Sequence, residues 1–139
     1  MLVIRRAEEH DRAAILTAAQ DVGVFTADEV ACVDELLEVY LHKPGQRDYC
    51  FIVCCEGRGQ PLGFACYGPT PLTEGTFDLY WLCVSRPAQG RGVATALLRG
   101  AEEELSAQTA RLLVAETSST RPYHAARAFY ERHGFRRRT

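Results

Sequence analysis

Two hydrophobic periods divide this chain into elements. Near-continuous or alternating apolar runs predict strands over Leu2–Arg6, Tyr49–Cys55, Leu62–Tyr67, Thr76–Val84 and Ala110–Glu116. Helical spacing predicts a first helix over Ala13–Val22, started by the acidic residues of Glu8–Asp11 and broken by Gly23. Thr26 followed by Glu29 is a capping box, and the helix it opens runs to about His42 with Val30, Val33, Leu37, Tyr40 and Leu41 on its apolar stripe. Val93, Leu97, Leu98, Ala101 and Leu105 predict a third helix to about Ala107. A fourth spans Ala125–Arg132, with N-caps available in Thr117–Thr120, Pro122 in its first turn and Gly134 as its stop. Lys43-Pro44-Gly45 is a turn, Glu56–Gln60 a hairpin loop, and Gly68–Gly75, with two prolines and two glycines, a loop.

Composition narrows the class. The 139 residues are 47% hydrophobic and 24% charged, which suits a single globular domain with its own core. A net charge of −2 supplies no basic field, so nucleic acid is not a predicted partner. No apolar run approaches the ~20 residues of a membrane span, and Met1–Ile4 is too short for a signal peptide, so a cytoplasmic protein is expected. The six cysteines form no Cys-x-x-Cys, and the neighbours Cys54 and Cys55 point to opposite faces of a strand. We expect no metal site; free cysteines inside apolar strands behave as small hydrophobes that the cytosol keeps reduced. The acidic residues Asp28, Asp34, Glu35 and Glu38 read as the solvated face of the second helix.

The chemistry concentrates between Leu79 and Leu98. Leu79–Val84, aromatic and β-branched, reads as a buried strand that ends before Pro87, and Gln89-Gly90-Arg91-Gly92-Val93-Ala94 feeds the third helix. A glycine-rich turn entering a helix leaves several N–H groups unpaired at the positive end of the dipole, where phosphate binds. Three readings fit. One is an ordinary softened turn before a core helix. Another is a dinucleotide-binding unit, with Glu116 closing the next strand, although Thr95 stands where a third glycine belongs.

In the third reading, Gln89-x-x-Gly92-x-Ala94 after a strand resembles the signature of the GNAT superfamily of acyl-CoA-dependent N-acyltransferases. A second match lies at Ala128-Phe129-Tyr130-Glu131-Arg132-His133-Gly134-Phe135, similar to the family's late helix with its tyrosine and closing Gly-Phe. The resemblance implies an α/β (α+β) fold with a mixed, mainly antiparallel central sheet flanked by helices. It also implies transfer of an acetyl group from acetyl-CoA to a small-molecule or peptide amine in a ternary complex. By that likeness the N–H groups of Gln89, Gly90, Arg91, Gly92, Val93, Ala94 and Thr95 hold the pyrophosphate, helped by the side chains of Arg91 and Thr95. The edge at Leu82, Cys83 and Val84 pairs with pantetheine, and one of its N–H groups polarises the thioester carbonyl. Tyr130 gives a proton to the departing thiolate, its plain alternative being a buried anchor of the last helix. Glu116 first, and Asp78 second, are the candidate bases for the amine; both residue types also serve at sheet ends and caps. Tyr67, Tyr80 and Trp81 pack the core or line the acceptor cleft, and His124 and His133 are expected in surface or packing roles. An acyl-cysteine on Cys83 runs against the direct transfer the family implies.

Family members normally carry one or two further strands after Gly-Phe, whereas about five residues remain here from Phe135 onward. The expectation is therefore a sheet whose C-terminal strands are missing or shortened, because the chain is truncated, because another subunit supplies the edge, or because the sheet is left open; an exposed edge favours a homodimer or poor solubility. A non-catalytic acyl-CoA-binding module is the alternative function.

Overall fold

The computed structural model describes residues 1–107, 112–115 and 124–135. Five strands form one sheet in the order β1 (Leu2–Arg6), β2 (Cys50–Glu56), β3 (Pro61–Pro69), β4 (Thr76–Val84) and β5 (Leu112–Ala115). The first three pairings are antiparallel and β4–β5 is parallel, so the sheet is mixed and mainly antiparallel. Four helices flank it: α1 (Arg12–Asp21), α2 (Ala27–His42), α3 (Val93–Ala107) and α4 (His124–Arg132).

The sheet is covered on both faces, which explains the unbroken apolar sequence of β2. Phe51, Val53 and Cys55 pack with Val33 and Leu37 beneath α1 and α2, while Ile52 and Cys54 pack with Leu97, Leu98 and Ala101 beneath α3. Cys54 and Cys55 thus divide between the two cores as alternation requires. Thr26 and Glu29 exchange their hydrogen bonds at the start of α2 as a capping box. Arg5 grips the fully buried Asp11 through two hydrogen bonds of 2.7 and 2.9 Å, tying β1 to the turn that opens α1.

Two expectations are corrected. The segment 68–75 is not wholly loop: β3 continues through Gly68 and Pro69, opposite Asp78 and Phe77. Pro69 is tolerated because it is the strand's last residue, after which Thr70 N–H closes the ladder on Thr76 O at 2.9 Å. The strand Leu79–Val84 is also less buried than its apolar sequence suggested, for only Leu79 and Cys83 are fully inside.

A bulge in β4 is what positions the site. Cys66 faces Trp81, but the next β3 residue, Tyr67, faces Leu79, so Tyr80 is an extra residue without a partner. Tyr80 and Trp81 consequently both turn toward the α1/α2 core, while Leu79 before them and Leu82 after them lie beneath α3. Pairing of β4 with β5 stops at the same place, with Leu79 opposite Ala115 as its last described partner.

Candidate active site

From Tyr80 onward β4 has a neighbour on one side only among the described residues. On that side Leu82, Cys83 and Val84 face Ala65, Phe64 and Gly63 of β3. Ser85 ends the ladder, its N–H and hydroxyl both donating to Leu62 O at 2.9 and 3.0 Å. Pro87 sits inside a short 3-10 turn, Arg86–Ala88, and Ala88 is buried against the α3-side core. The chain then leaves the sheet through Gln89, whose side-chain amide donates back to Val84 O at 3.3 Å.

The loop that follows is shaped for an anion. Gly90 and Gly92 both have φ of +81°, a conformation that glycine adopts without strain. A Cβ built on either would meet nothing within 4 Å, so open space lies over the backbone there. The Gln89 N–H is already given to Arg86 O at 3.2 Å, which removes it from the predicted phosphate-binding set. The N–H groups of Gly90, Arg91, Gly92, Val93, Ala94 and Thr95 have no backbone acceptor among the described residues, and the first bond into α3 runs from Ala96 N–H to Gly92 O at 3.0 Å. These donors stand at the positive end of a helix whose buried Val93, Leu97, Leu98, Ala101 and Leu105 anchor it to the sheet.

The predicted side chains at this end are engaged. Arg91 pairs with Glu56 of the β2–β3 hairpin at 3.1 Å, and the same carboxylate holds the N-terminal ammonium. Thr95 Oγ1 lies 3.0 Å from His133 Nε2, just past the end of α4. His133 Nδ1 lies 2.8 Å from Phe129 O, and its ring packs, tilted by 33°, with its centre 4.2 Å from that of the Phe129 ring. His133 is therefore more than a packing residue: it joins the glycine-opened helix to the tyrosine-bearing one.

Tyr130 packs between Phe129 and Phe135, in the core beneath α3 that also takes Leu82, Val84 and Val93. Burial pushes its phenol up to about 12, so it holds its proton at neutral pH. Cys83 faces the opposite core, and burial alone pushes its thiol up to about 12, which suits a packing residue and not a nucleophile. Asp78 is half-buried in β4, and alternation with Phe77 and Leu79 puts it on the α1/α2 face. There it adds to the rise of the Tyr80 phenol, which burial drives first. Glu116 lies outside the described residues. No group of three His, Cys, Asp or Glu side chains able to hold a metal ion occurs among the described residues.

The structure thus gathers Leu82, Val84, Gly90, Arg91, Gly92, Val93, Thr95 and Tyr130 on the α3 side, and sets Cys83 and Asp78 on the other. Two contributors were not foreseen. The Tyr80 bulge has no signal in the strand's own sequence. His133, four residues after Phe129 and next to the stop glycine, carried only the local signal of a helix end.

A strand edge unpaired among the described residues and leading into an N–H-lined helix start is a frame for a ligand with an extended amide-bearing arm and a phosphate. Comparisons with known proteins define its class. The acetyltransferase (GNAT) domain profile matches residues 47–137. A structure assigned to the GNAT family, from Desulfovibrio desulfuricans, shares 36% identity at a TM-score of 0.94 over 100% of this chain and 87% of its own. The ribosomal-protein-S18-alanine N-acetyltransferase of Escherichia coli has a TM-score of 0.76 at 24% identity, over 100% of this chain and 80% of that one. AAC(6')-Iy, solved with the bisubstrate analogue CoA-S-monomethyl-acetylneamine, has a TM-score of 0.73 at 16% identity, over 99% and 92%. A search of curated proteins finds no match. The chain belongs to the GNAT acetyltransferase family.

Proposed function

We propose that this protein transfers the acetyl group of acetyl-CoA to a primary amine by direct attack in a ternary complex. The observation that carries the reading is the junction at the end of β4, where, among the described residues, an open strand edge runs straight into N–H groups without a backbone acceptor. The pantetheine arm adds to the edge at Leu82, Cys83 and Val84 as a further strand, and the pyrophosphate rests on residues 90–95. An N–H of that edge takes the growing charge on the thioester oxygen.

The acceptor enters from the face that holds Asp78, opposite Tyr130. Its nitrogen, freed of one proton by Asp78 or Glu116 through solvent, bonds to the carbonyl carbon. The C–S bond then breaks, and the thiolate takes the Tyr130 proton. The second amine proton leaves as the amide forms and restores the phenol through solvent. The acceptor class is a small-molecule or peptide amine. We place the protein in the cytosol, where its unpaired cysteines stay reduced.

Calorimetric titration with acetyl-CoA, with NADH as control, tests the cofactor, and release of free thiol against a panel of amines tests the reaction. Binding of acetyl-CoA alone with amine-dependent thiol release is the expected outcome. Binding without turnover on any amine would instead identify an acyl-CoA-binding module, and NADH binding in place of acetyl-CoA a dinucleotide unit.

A further inference from the structure

The bond between Thr95 and His133 limits what the start of α3 can offer a phosphate. We infer that His133 is a positioning residue for the cosubstrate: it takes up a proton as acetyl-CoA binds, which frees the Thr95 hydroxyl hydrogen for the pyrophosphate. The inference rests on the reading of residues 90–95 as the pyrophosphate site.

The argument is a count of hydrogens. The Phe129 carbonyl can only accept, so His133 Nδ1, at 2.8 Å, carries a proton. In the neutral ring Nε2 then has only a lone pair. Thr95 Oγ1, at 3.0 Å, must therefore donate to it. A hydroxyl has one hydrogen, and an ionised phosphodiester has only acceptors. While the ring is neutral, Thr95 cannot serve both. A proton added at Nε2 from solvent reverses the bond: the imidazolium donates to Oγ1, and the hydroxyl hydrogen turns to the phosphate. No other bond forms or breaks. The ring need not move, since its Nδ1 bond and its tilted contact with Phe129 are kept in either state.

The charges around the ring come from both helices. On α4 the neutral phenol of Tyr130, Glu131 and Arg132 precede it. On the α3 side Arg91, already paired with Glu56, stands one turn before Thr95, Arg99 one turn after, and Glu102 further along the same face. The described residues of β5 are apolar, and Arg136, Arg137 and Arg138 lie outside the described residues. Among the described neighbours, then, cations and carboxylates oppose one another, and the arriving pyrophosphate is the largest new charge. It favours the imidazolium, and by linkage the imidazolium favours it.

The experiment is titration of the wild-type protein with acetyl-CoA over about pH 6.5 to 8.5, the range in which an imidazole titrates, in two buffers of different protonation enthalpy. Near the upper end the cosubstrate's own phosphomonoester, with a pKa of about 6, is fully ionised and contributes no proton. The expected result is net proton uptake of at most one per site, with affinity falling by up to about tenfold per pH unit. His133→Gln, whose amide donates to Thr95 without titrating, should show no uptake and an affinity that no longer changes at the alkaline end. Thr95→Ser should keep the coupling and Thr95→Val should lose it. Ring NMR should show His133 titrating at higher pH with acetyl-CoA bound. Wild-type binding without proton uptake, or a His133→Gln slope equal to wild type, overturns the inference and leaves the proposed function standing. Failure of the folded wild type to bind acetyl-CoA overturns both. If His133→Gln does not fold, the uptake and the ring titration of the wild type decide.

Discussion

Two glycines near the candidate site lie in opposite surroundings, and replacing each with alanine separates folding from binding. At Gly92 the added methyl meets no atom within 4 Å, so the only folding cost is the left-handed backbone at φ +81°. That strain is about 1–2 kcal/mol, or roughly 4–6 °C in melting temperature for a chain of this size. At Gly63 the methyl would stand 2.6 Å from Cys83 O, 3.0 Å from Val93 Cγ1 and 3.2 Å from Val84 Cα. The two closest backbone atoms belong to a paired strand and cannot step aside as a side-chain end would. Overpacking of this kind costs about 3 kcal/mol or more, and a loss of about 10 °C is expected. Binding should follow the reverse order when measured per folded molecule. Gly92→Ala puts a methyl into the open space above the unpaired N–H groups and should weaken acetyl-CoA at least about tenfold, the equivalent of one good hydrogen bond. Thermal melts by circular dichroism and calorimetric titration of the same samples make the comparison. If Gly92→Ala binds acetyl-CoA as tightly as wild type, the loop does not touch the cosubstrate. If Gly63→Ala melts with wild type, the close approach of β3 to β4 and α3 is not as drawn.

Tyr130→Phe removes a phenol that makes no hydrogen bond among the described residues. Stability should change by less than about 1 kcal/mol, while turnover on whichever amine the screen identifies should fall by about 10²–10⁴-fold with acetyl-CoA affinity kept; turnover within twofold of wild type would remove the phenol from the mechanism. Asp11→Asn leaves Arg5 facing a neutral amide and should cost about 3 kcal/mol by urea unfolding, the lower end for a buried pair because Arg5 is 33% exposed. Burial pushes the Asp11 carboxyl up, but the Arg5 hydrogen bonds and the Glu8 N–H outweigh it and hold it below the usual range. Its folded value is depressed, so its stabilisation is full above the ordinary carboxylate range and is lost as pH falls below it; the variant's acid unfolding should lack that component. His42 has the opposite sign. Its hydrogen bond to Glu38, with Glu9 beyond, raises its pKa, so the stabilisation is complete below the ordinary imidazole range and disappears as pH rises from that range through the raised folded value. Melting temperatures above and below neutrality should differ less in His42→Ala than in wild type.

Much of this fold was legible because its signals are local. The Thr26–Glu29 capping box, the Val93 to Leu105 stripe and the glycines at 90 and 92 each act within a turn or two of chain, where sequence fixes geometry directly. The end of β3 was misread for the complementary reason. Pro69 speaks against a strand locally, and only the partner Phe77 and the closing Thr70–Thr76 bond show that it lies within one. His133 illustrates the same limit, since the residue that gives it a role, Thr95, is on another helix.

The bulge at Tyr80 matters more, because its consequence is not confined to one residue. Counting strictly by twos from Leu79 would send Trp81 and Cys83 beneath α3, and Leu82 and Val84 to the other face. One inserted residue exchanges the two sets: Leu82 and Val84 go beneath α3 beside Val93 and Tyr130, and Cys83 is retired into the opposite core. The insertion is visible only in the pairing of two strands, where Cys66 faces Trp81 and Tyr67 faces Leu79. A variant that deletes Tyr80 would therefore do more than remove an aromatic ring. It would remove the bulge itself: Trp81 would follow Leu79 on the α1/α2 face, and strict alternation would keep Leu82 and Val84 beneath α3. Calorimetric titration should therefore find acetyl-CoA affinity kept, while thermal melts show the loss of the Tyr80 ring packed at 5.7 Å from Tyr49; a loss of affinity would mean that the bulge, and not the alternation after it, shapes the edge.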